Sequence, residues 1–213
     1  MKFTLTRTVG LTAAVAVLAA GGIATVAVAG TTHNATRTVA SAQTAVPALE
    51  PSQVKYEHKV WGDPKTEVGI YVWGPKDWPM VKLSTFEAKF TSPNKLWNVR
   101  VNGRVDGQPT LKKKVDDKVA ALHGVTGFKL ISRVNGTMKA TNPSYPDAKL
   151  TYTTLTYTYT DGARGTRLVV DRFVAVYDAT HTTFEISTGG RPQDRAGLDA
   201  ITAKVTQDYI CLP

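Results

Sequence analysis

The chain has 213 residues and a hydrophobic content of 42%, which is enough to bury the core of one domain. Its 26 Lys and Arg outnumber its 17 Asp and Glu, which favours anionic partners such as envelope polymers, lipid headgroups or nucleic acid without specifying one. A single cysteine excludes an internal disulfide framework.

The N-terminus has the features of a secretory signal peptide. Lys2 and Arg7 precede a long apolar run over 8–29, which ends in the small residues "AVAG". This pattern predicts a signal peptide over 1–29 with cleavage after Ala29. An uncleaved membrane anchor is the alternative, because the run is long for a signal core. No cysteine lies near the cleavage site, so attachment of a lipid there is excluded.

A linker and one domain are predicted to follow. Residues 30–53 are rich in Thr, Ala, Ser and Pro and hold few large apolar residues, which is typical of a flexible linker. The remaining segment, 54–213, predicts a single folded domain, which we expect to be a monomer.

Alternating apolar and polar residues predict a series of strands in this domain, separated by turns that contain Gly, Pro, Asn and Asp. In one of them Trp97, Val99 and Val101 share a face, and polar residues occupy the other face. In chain order the predicted strands span 54–61, 67–73, 86–92, 96–103, 126–140, 150–160, 167–177 and 182–188.

Two amphipathic helices complete the predicted elements. Pro109 suits the first position of the first helix, which ends at Gly124, and Asp194 suits the N-cap of the second. The run 112–114 is all lysine, and a solvated helix face is favoured there over a phosphate-binding patch. The apolar stripes are Leu111, Val115, Val119 and Leu122 in the first helix and Leu198, Ile201, Val205 and Tyr209 in the second.

The stretch 150–177, "LTYTTLTYTYTDGARGTRLVVDRFVAVY", predicts a hairpin closed at "DGARG". Its tyrosines suit either an aromatic platform for a ligand such as a sugar, or packing within a sheet. The alternation slips along the first strand, so we expect a bulge near Thr153-Thr154. Residues 167–177 are apolar on both sides, which predicts a central strand covered on both faces. The tyrosines are therefore interpreted as structural.

Asp171 and Arg172 interrupt this apolar strand. If the strand is covered on both faces, one of the two charged side chains must be buried or reach a rim. A buried carboxylate with a raised pKa is a functional candidate. A hydrogen-bonded or ion-paired structural group is the simpler interpretation.

Together the elements predict an α+β fold in which two helices flank an antiparallel sheet. The run "YVWGPKDWPM", a strand ending in "SPNKLWNVRV", a helix, long hairpins and a closing helix after "GGRPQD" resemble the PsbP-like fold. More narrowly, the chain is similar to the exported actinobacterial LpqN-type proteins over about 54–210, but it lacks the signal-peptide cysteine of the lipoprotein members. The resemblance implies a PsbP-like sandwich and a non-enzymatic envelope or extracellular protein, often an accessory or binding factor.

Catalytic and metal-binding signatures are absent from the sequence. It has no HExxH, CxxC, GxSxG or Walker-type loop, and its histidines lack metal-ligand spacing. We therefore expect no metal, no cofactor and no enzymatic activity, and we interpret Cys211 as a small apolar residue under the last helix. A secreted hydrolase with a cryptic carboxylate pair is the alternative function, which two carboxylates converging in a cleft would support.

Trp78, with Lys76 and Lys82, is the candidate contact for an anionic envelope component. The prolines that flank the "PKDWP" loop stiffen it, and loops often carry binding residues. In the alternative interpretation the ring folds under the loop and plugs the end of the sheet. The sequence thus predicts a secreted, non-enzymatic binding or accessory protein of the cell envelope or extracellular space, with no specific binding of nucleic acid.

We predict that the mature protein begins near Gly30 and is released into the medium, because a positive start, an apolar run and small residues specify cleavage. N-terminal sequencing of the exported product locates the cleavage site. A full-length form retained in membranes would contradict the prediction.

Overall fold

A computed structural model describes residues 46–63, 65, 68–141 and 148–212. The predicted signal peptide and most of the predicted linker lie outside these residues. No helix among them is long and apolar enough to cross a membrane. The described elements are β1 Tyr56–Asp63, β2 Val68–Pro75, β3 Met80–Lys82, β4 Glu87–Thr91, β5 Asn98–Asn102, α1 Leu111–Leu122, β6 Lys129–Lys139, β7 Lys149–Thr160, β8 Thr166–Ala175, β9 Phe184–Gly190, α2 Arg195–Gln207 and β10 Ile210–Leu212.

The strands form two antiparallel sheets. The larger sheet has seven strands in the order β3-β4-β5-β9-β8-β7-β6, and the smaller has three in the order β1-β2-β10. With two helices beside the large sheet, the architecture confirms the predicted α+β fold class. The structure adds β3 and β10 to the predicted strands. Both are only three residues long, too short to show an alternating pattern.

The two faces of the large sheet carry separate hydrophobic cores. On one face, α2 and the small sheet cover the larger core, in which the Trp61 ring packs edge-on against Phe90 at 6.0 Å. On the other face, α1 covers β7 and β8 with Leu111 and Val115. The large sheet is therefore the middle layer of the domain, and its central strand β8 is covered on both sides, as predicted.

The bulge predicted near Thr153-Thr154 is wrong. The β7–β8 register runs without a break along both strands. Leu150 faces the core under α2, whereas Leu155 and Tyr157 face the core under α1. The apolar residues shift from even-numbered to odd-numbered positions along β7. The reason is that its first half packs into the core under α2 and its second half into the core under α1. A register shift occurs instead in the neighbouring β6–β7 pairing, between Leu130 and Ser132 of β6.

The first helix begins later than predicted, whereas the second has the predicted N-cap residue. Pro109 was expected at the first position of α1, but the helix begins at Leu111, and the Thr110 hydroxyl caps it by accepting a hydrogen bond from the Lys113 N–H at 3.2 Å. Asp194 does occupy the N-cap of α2 but makes no side-chain capping bond. Its carboxylate binds Arg191 and the Leu49 N–H instead, so it ties distant segments to the start of the helix.

Residues 46–53, which were predicted to belong to the linker, pack on the domain. Leu49 is buried in the larger core, and its N–H donates to Asp194 Oδ1 at 3.0 Å. The Arg191 guanidinium donates to two backbone carbonyls of the same segment, at 2.8 and 2.6 Å. The folded domain therefore begins before Val54. One buried leucine and a few backbone hydrogen bonds hold a segment whose composition is that of a linker.

Replacing Tyr157 with alanine should destabilise the domain by about 2 to 4 kcal/mol, because its buried ring packs edge-on against Phe128 at 5.8 Å. Urea denaturation measures the free energy of unfolding. Val134→Ala, at an exposed position of β6, is the control and should change it by no more than about 0.5 kcal/mol. Unchanged stability together with lost ligand binding would instead make Tyr157 part of a binding platform.

Candidate functional site

A polar cleft opens beside α1 on the large sheet. The helix covers β7 and β8 but leaves the same face of β4, β5 and β9 open to solvent. The cleft, here called the α1 cleft, has a volume of about 250 Å³ and is lined only by polar and charged side chains. These residues are Glu87, Arg100, Asn102, Lys114, Lys118, Glu185 and Ser187.

A fully buried carboxylate lies beneath this cleft. Asp171 is 0% exposed, and burial raises its pKa to about 6 even though Lys118 is close. The Lys118 ammonium nitrogen lies 2.8 Å from Asp171 Oδ2. Neither carboxyl oxygen of Asp171 accepts a hydrogen bond of good geometry from the described residues. The predicted buried carboxylate is thus present, as the ion-paired group of the simpler interpretation.

Lys118 joins Asp171 to the wall of the cleft. Its ammonium also contacts Glu185 Oε1 at 3.3 Å, and Glu185 Oε2 lies 3.0 Å from the Lys114 ammonium. The negative charge of Asp171 raises the pKa of Lys118 and outweighs burial. Burial alone would raise the pKa of Glu185, but the two lysines lower it. Glu185 and Lys118 therefore both stay charged at neutral pH.

The outer wall of the cleft has unused hydrogen-bond donors. Arg100 Nε donates to Glu87, which raises the pKa of Arg100, and its side chain is 57% exposed. The described residues offer no acceptor to its two Nη groups. Asn102 Oδ1 accepts the Arg104 N–H at 3.2 Å, while its amide N–H₂ and the Ser187 hydroxyl have no protein partner among the described residues.

The neighbouring side chain of β8 is buried on the opposite face. Arg172 Nε donates to the Thr154 hydroxyl at 2.9 Å, and the guanidinium carbon lies 4.2 Å from the centre of the Tyr152 ring. Nη1 reaches the hydroxyl of Thr206, in the last turn of α2, at 3.4 Å. Burial lowers the pKa of Arg172. Two hydroxyls and a ring face stabilise this cation, so its role is structural.

Trp78 is not the exposed contact that the sequence suggested. It is 8% exposed and stacks on Trp97 with ring centres 6.4 Å apart, which agrees with the alternative of a plug under the loop. Lys76 and Lys82 are exposed. The Lys82 ammonium contacts the Gly62 carbonyl, and no carboxylate of the described residues lies within 4.0 Å of either lysine.

Apolar side chains surround these lysines where the tryptophan was expected. Strand β3 is the edge of the large sheet, and all three of its side chains are exposed. Met80 is 39% exposed, Val81 57% and the following Leu83 48%. We call the set Lys76, Met80, Val81, Lys82 and Leu83 the β3 surface. It combines exposed hydrophobic residues with unpaired positive charge.

The lysine run at the start of α1 divides between two roles. Lys112 and Lys113 pair with Asp116 and Asp117 one turn later, at 2.7 Å each, which agrees with a solvated face. Lys114 turns instead into the α1 cleft.

No group of three or more potential metal ligands occurs within the described part of the chain. Cys211 belongs to β10 by its backbone, and its side chain is not described.

The cleft itself was missed by sequence analysis. Lys114 and Lys118 share a helix face by their spacing of four, and Arg100 and Asn102 alternate with buried valines on β5. These are ordinary signs of solvent exposure. The one signal that pointed toward the cleft was Asp171 in an apolar strand, since a buried carboxylate requires a nearby cation, but the sequence did not show which cation that is.

Comparison with known proteins gives matches only at the level of structure. No family model and no curated protein matches the chain. Mycobacterium tuberculosis LpqN, described as involved in cell envelope biogenesis, matches at 13% identity over 79% of this chain and 100% of its own, with a TM-score of 0.45. The Saccharomyces cerevisiae Ran-binding protein Mog1p matches at 9% identity over 73% and 96%, with a TM-score of 0.44. PA94, a Pseudomonas aeruginosa protein of unknown function, matches at 11% identity over 74% and 99%, with a TM-score of 0.38. LpqN, of the type that the sequence resembles, is thus among the matching structures.

The free energy of unfolding should fall by about 1 to 3 kcal/mol between about pH 4.5 and 7, because of Asp171. With its pKa raised to about 6, the folded protein binds more protons in this range than the unfolded chain does. Folding is therefore favoured at the acidic end, and this advantage is lost as the pH rises through the folded pKa. Urea denaturation across the range measures the slope.

Asp171→Asn should remove most of this slope, because the asparagine does not titrate. Asp117→Asn, at an exposed position of α1, is the matched control and should retain it. Equal slopes in the wild type and in Asp171→Asn would show that the carboxyl group does not titrate in this range.

Proposed function

We propose that the protein is an exported, non-enzymatic binding or accessory protein that acts at the cell envelope or in the extracellular space. In this proposal the β3 surface is its contact with an anionic lipid surface. The observation that carries the proposal is the exposure of Met80, Val81 and Leu83 on an edge strand beside Lys76 and Lys82. Apolar side chains that enter the headgroup region, flanked by lysines, are the combination that anionic membrane surfaces bind.

The charge of the segment supports an anionic target. Between Lys76 and Leu83 the only acidic residue is Asp77. Lys59 lies nearby, but its ammonium pairs with Glu57 at 2.6 Å, so it adds no net charge to this surface. Each lysine close to an anionic bilayer contributes about 1 kcal/mol to binding. A contact of two lysines and three apolar side chains therefore suits reversible attachment.

Trp78 supports the surface from below in this proposal. Its buried ring stacks on Trp97, and the Pro79 carbonyl accepts a hydrogen bond from the Thr91 N–H at 3.1 Å. These contacts hold the loop before β3 against the body of the sheet. The apolar side chains are then presented by a rigid edge, which lowers the entropy lost on binding.

The α1 cleft favours binding over the alternative of a hydrolase. A glycosidase-type mechanism needs a protonated carboxyl group that touches the substrate and a second, ionised carboxylate. Asp171 has a raised pKa but is fully buried beneath Lys118. Glu185 faces the cleft, but its pKa is lowered, so it is a poor proton donor. Asp171 and Glu185 converge on one ammonium group, and the third carboxylate of the cleft, Glu87, accepts a hydrogen bond from Arg100 Nε. The one acid with a raised pKa, Asp171, cannot reach a ligand.

The proposal predicts that the domain sediments with phosphatidylglycerol vesicles and not with phosphatidylcholine vesicles, and that added salt weakens the binding. Lys76→Gln combined with Lys82→Gln should lower the partition coefficient about thirtyfold, at about 1 kcal/mol per lysine. Val81→Ser combined with Leu83→Ser should also lower it, because it removes the apolar contact.

Lys112→Gln combined with Lys113→Gln is the matched control, because it removes the same charge from an exposed face of α1. It should leave most of the binding intact. An equal loss in this variant would mean that net charge alone attracts the vesicles. No binding by the wild type would reject the lipid surface as the target.

A further inference from the structure

One row of side chains connects the β3 surface to the α1 cleft. Val81 pairs with Lys89, Lys89 with Arg100, and Arg100 with Ser187, across four neighbouring strands. Directly paired residues point to the same face, with Cβ atoms about 5 Å apart. Within β3, Val81 lies on this face, whereas Met80 and Lys82 point to the other face. A ligand that contacts Val81 therefore meets Lys89 and Arg100 next, and beyond them the cleft.

Positive charge exceeds negative charge along this row. Lys89 has no carboxylate within 4.0 Å among the described residues, although it is the direct neighbour of Arg100. With Lys89 included, four cations surround three carboxylates. The cations are Lys89, Arg100, Lys114 and Lys118, and the carboxylates are Glu87, Asp171 and Glu185.

Hydrogen-bond donors also exceed acceptors at the mouth of the cleft. Both Nη groups of Arg100, the amide N–H₂ of Asn102 and the hydroxyl of Ser187 lack a protein acceptor among the described residues. Lys114 has one contact, to Glu185, for an ammonium group with three N–H donors. The ligand that satisfies such a site supplies several acceptor oxygens and a negative charge.

We propose that the α1 cleft binds a phosphate group, with the guanidinium of Arg100 as its main contact and Lys114, Lys89, Asn102 and Ser187 as further donors. This inference rests on the proposed function, because the phosphate belongs to the headgroup of a lipid held at the β3 surface. A guanidinium matches two phosphate oxygens with two parallel N–H donors. The cleft volume of about 250 Å³ admits a headgroup and is too small for a folded partner.

The phosphate needs no rearrangement of the buried charges. Lys118 remains between Asp171 and Glu185, where its ammonium contacts both carboxylates. Arg100 keeps its Nε contact with Glu87 and offers the Nη edge to the ligand. The carboxylates of the cleft are thus screened by their own cations. The buried cluster of Lys118, Asp171 and Glu185 holds the wall of the site in place, and the exposed donors bind the phosphate.

Soluble probes separate this site from the vesicle surface. We expect glycerophosphoglycerol, the headgroup of phosphatidylglycerol, to shift the amide NMR signals of Arg100, Asn102 and Ser187, and glycerol without phosphate to leave them unchanged. Arg100→Gln should weaken the binding of this probe about tenfold or more, since it removes a charged hydrogen-bond donor. Arg100→Lys should restore only part of it, because an ammonium lacks the planar fork.

Lys112→Gln is the control and should bind the probe like the wild type, and the melting temperature of each variant shows that it is folded. Inorganic phosphate shows whether the site binds a lipid headgroup or free phosphate. If inorganic phosphate binds more weakly than glycerophosphoglycerol, the proposal is supported. If it binds equally or more tightly, the site is one for free phosphate. Headgroup binding that Arg100→Gln leaves unchanged overturns the phosphate site even if vesicles still bind through the β3 surface. Headgroup binding without vesicle binding rejects the lipid surface and retains the phosphate site.

Discussion

The structure depends on a central strand that is covered on both faces although it carries two consecutive charges. Side chains alternate along a strand, so Asp171 and Arg172 of β8 point into opposite cores. An isolated buried charge is costly, so each needs polar or charged partners beside it. Asp171 is paired with Lys118 of α1, and Arg172 contacts the Tyr152 ring of β7 and the Thr206 hydroxyl of α2. Each helix therefore supplies a partner for a buried charge as well as apolar packing.

The open part of the sheet follows from the width of α1, because one helix about 10 Å across covers about two strands that lie about 4.8 Å apart. The helix has 12 residues and reaches β7 and β8, whose apolar side chains fill the space beneath it. On that face α1 contacts β9 through the charged side chains of Lys114 and Lys118, and the strands β4 and β5 beyond it carry polar side chains. The cleft is thus the boundary between a covered and an uncovered region of one sheet face. Lys114 and Lys118 stand at this boundary, between a buried carboxylate and solvent.

Features set by local periodicity could be predicted from the sequence. The two-sided apolar pattern of 167–177 identified the central strand, and the stripe from Leu111 to Leu122 identified α1. Both patterns lie within one element, so that neighbouring residues suffice to show them. The "DGARG" turn and the structural role of Tyr157 follow from the same kind of local evidence.

Features set by contacts between distant segments could not be predicted. Trp78 is buried because Trp97, from a different turn, stacks on it. The α1 cleft exists because Asp171 and Glu185, from different strands, meet Lys118 from a helix. None of these partners is specified by the residues around it. The sequence showed a charge that needed a partner, and the three-dimensional arrangement identified the partner.

The attachment of 46–53 has a mechanical consequence. Arg191 and Asp194 hold this segment at the first turn of α2, and Leu49 inserts there into the larger core. Tension on the chain ahead of this point is transmitted to the core helix and not to the edge of a sheet, where strands can be peeled away one hydrogen bond at a time. To detach the segment, a force must break the hydrogen bonds that Arg191 and Asp194 make to its backbone and extract Leu49 in the same step. The edge strand β1, which follows the segment, is therefore shielded from tension until this attachment fails.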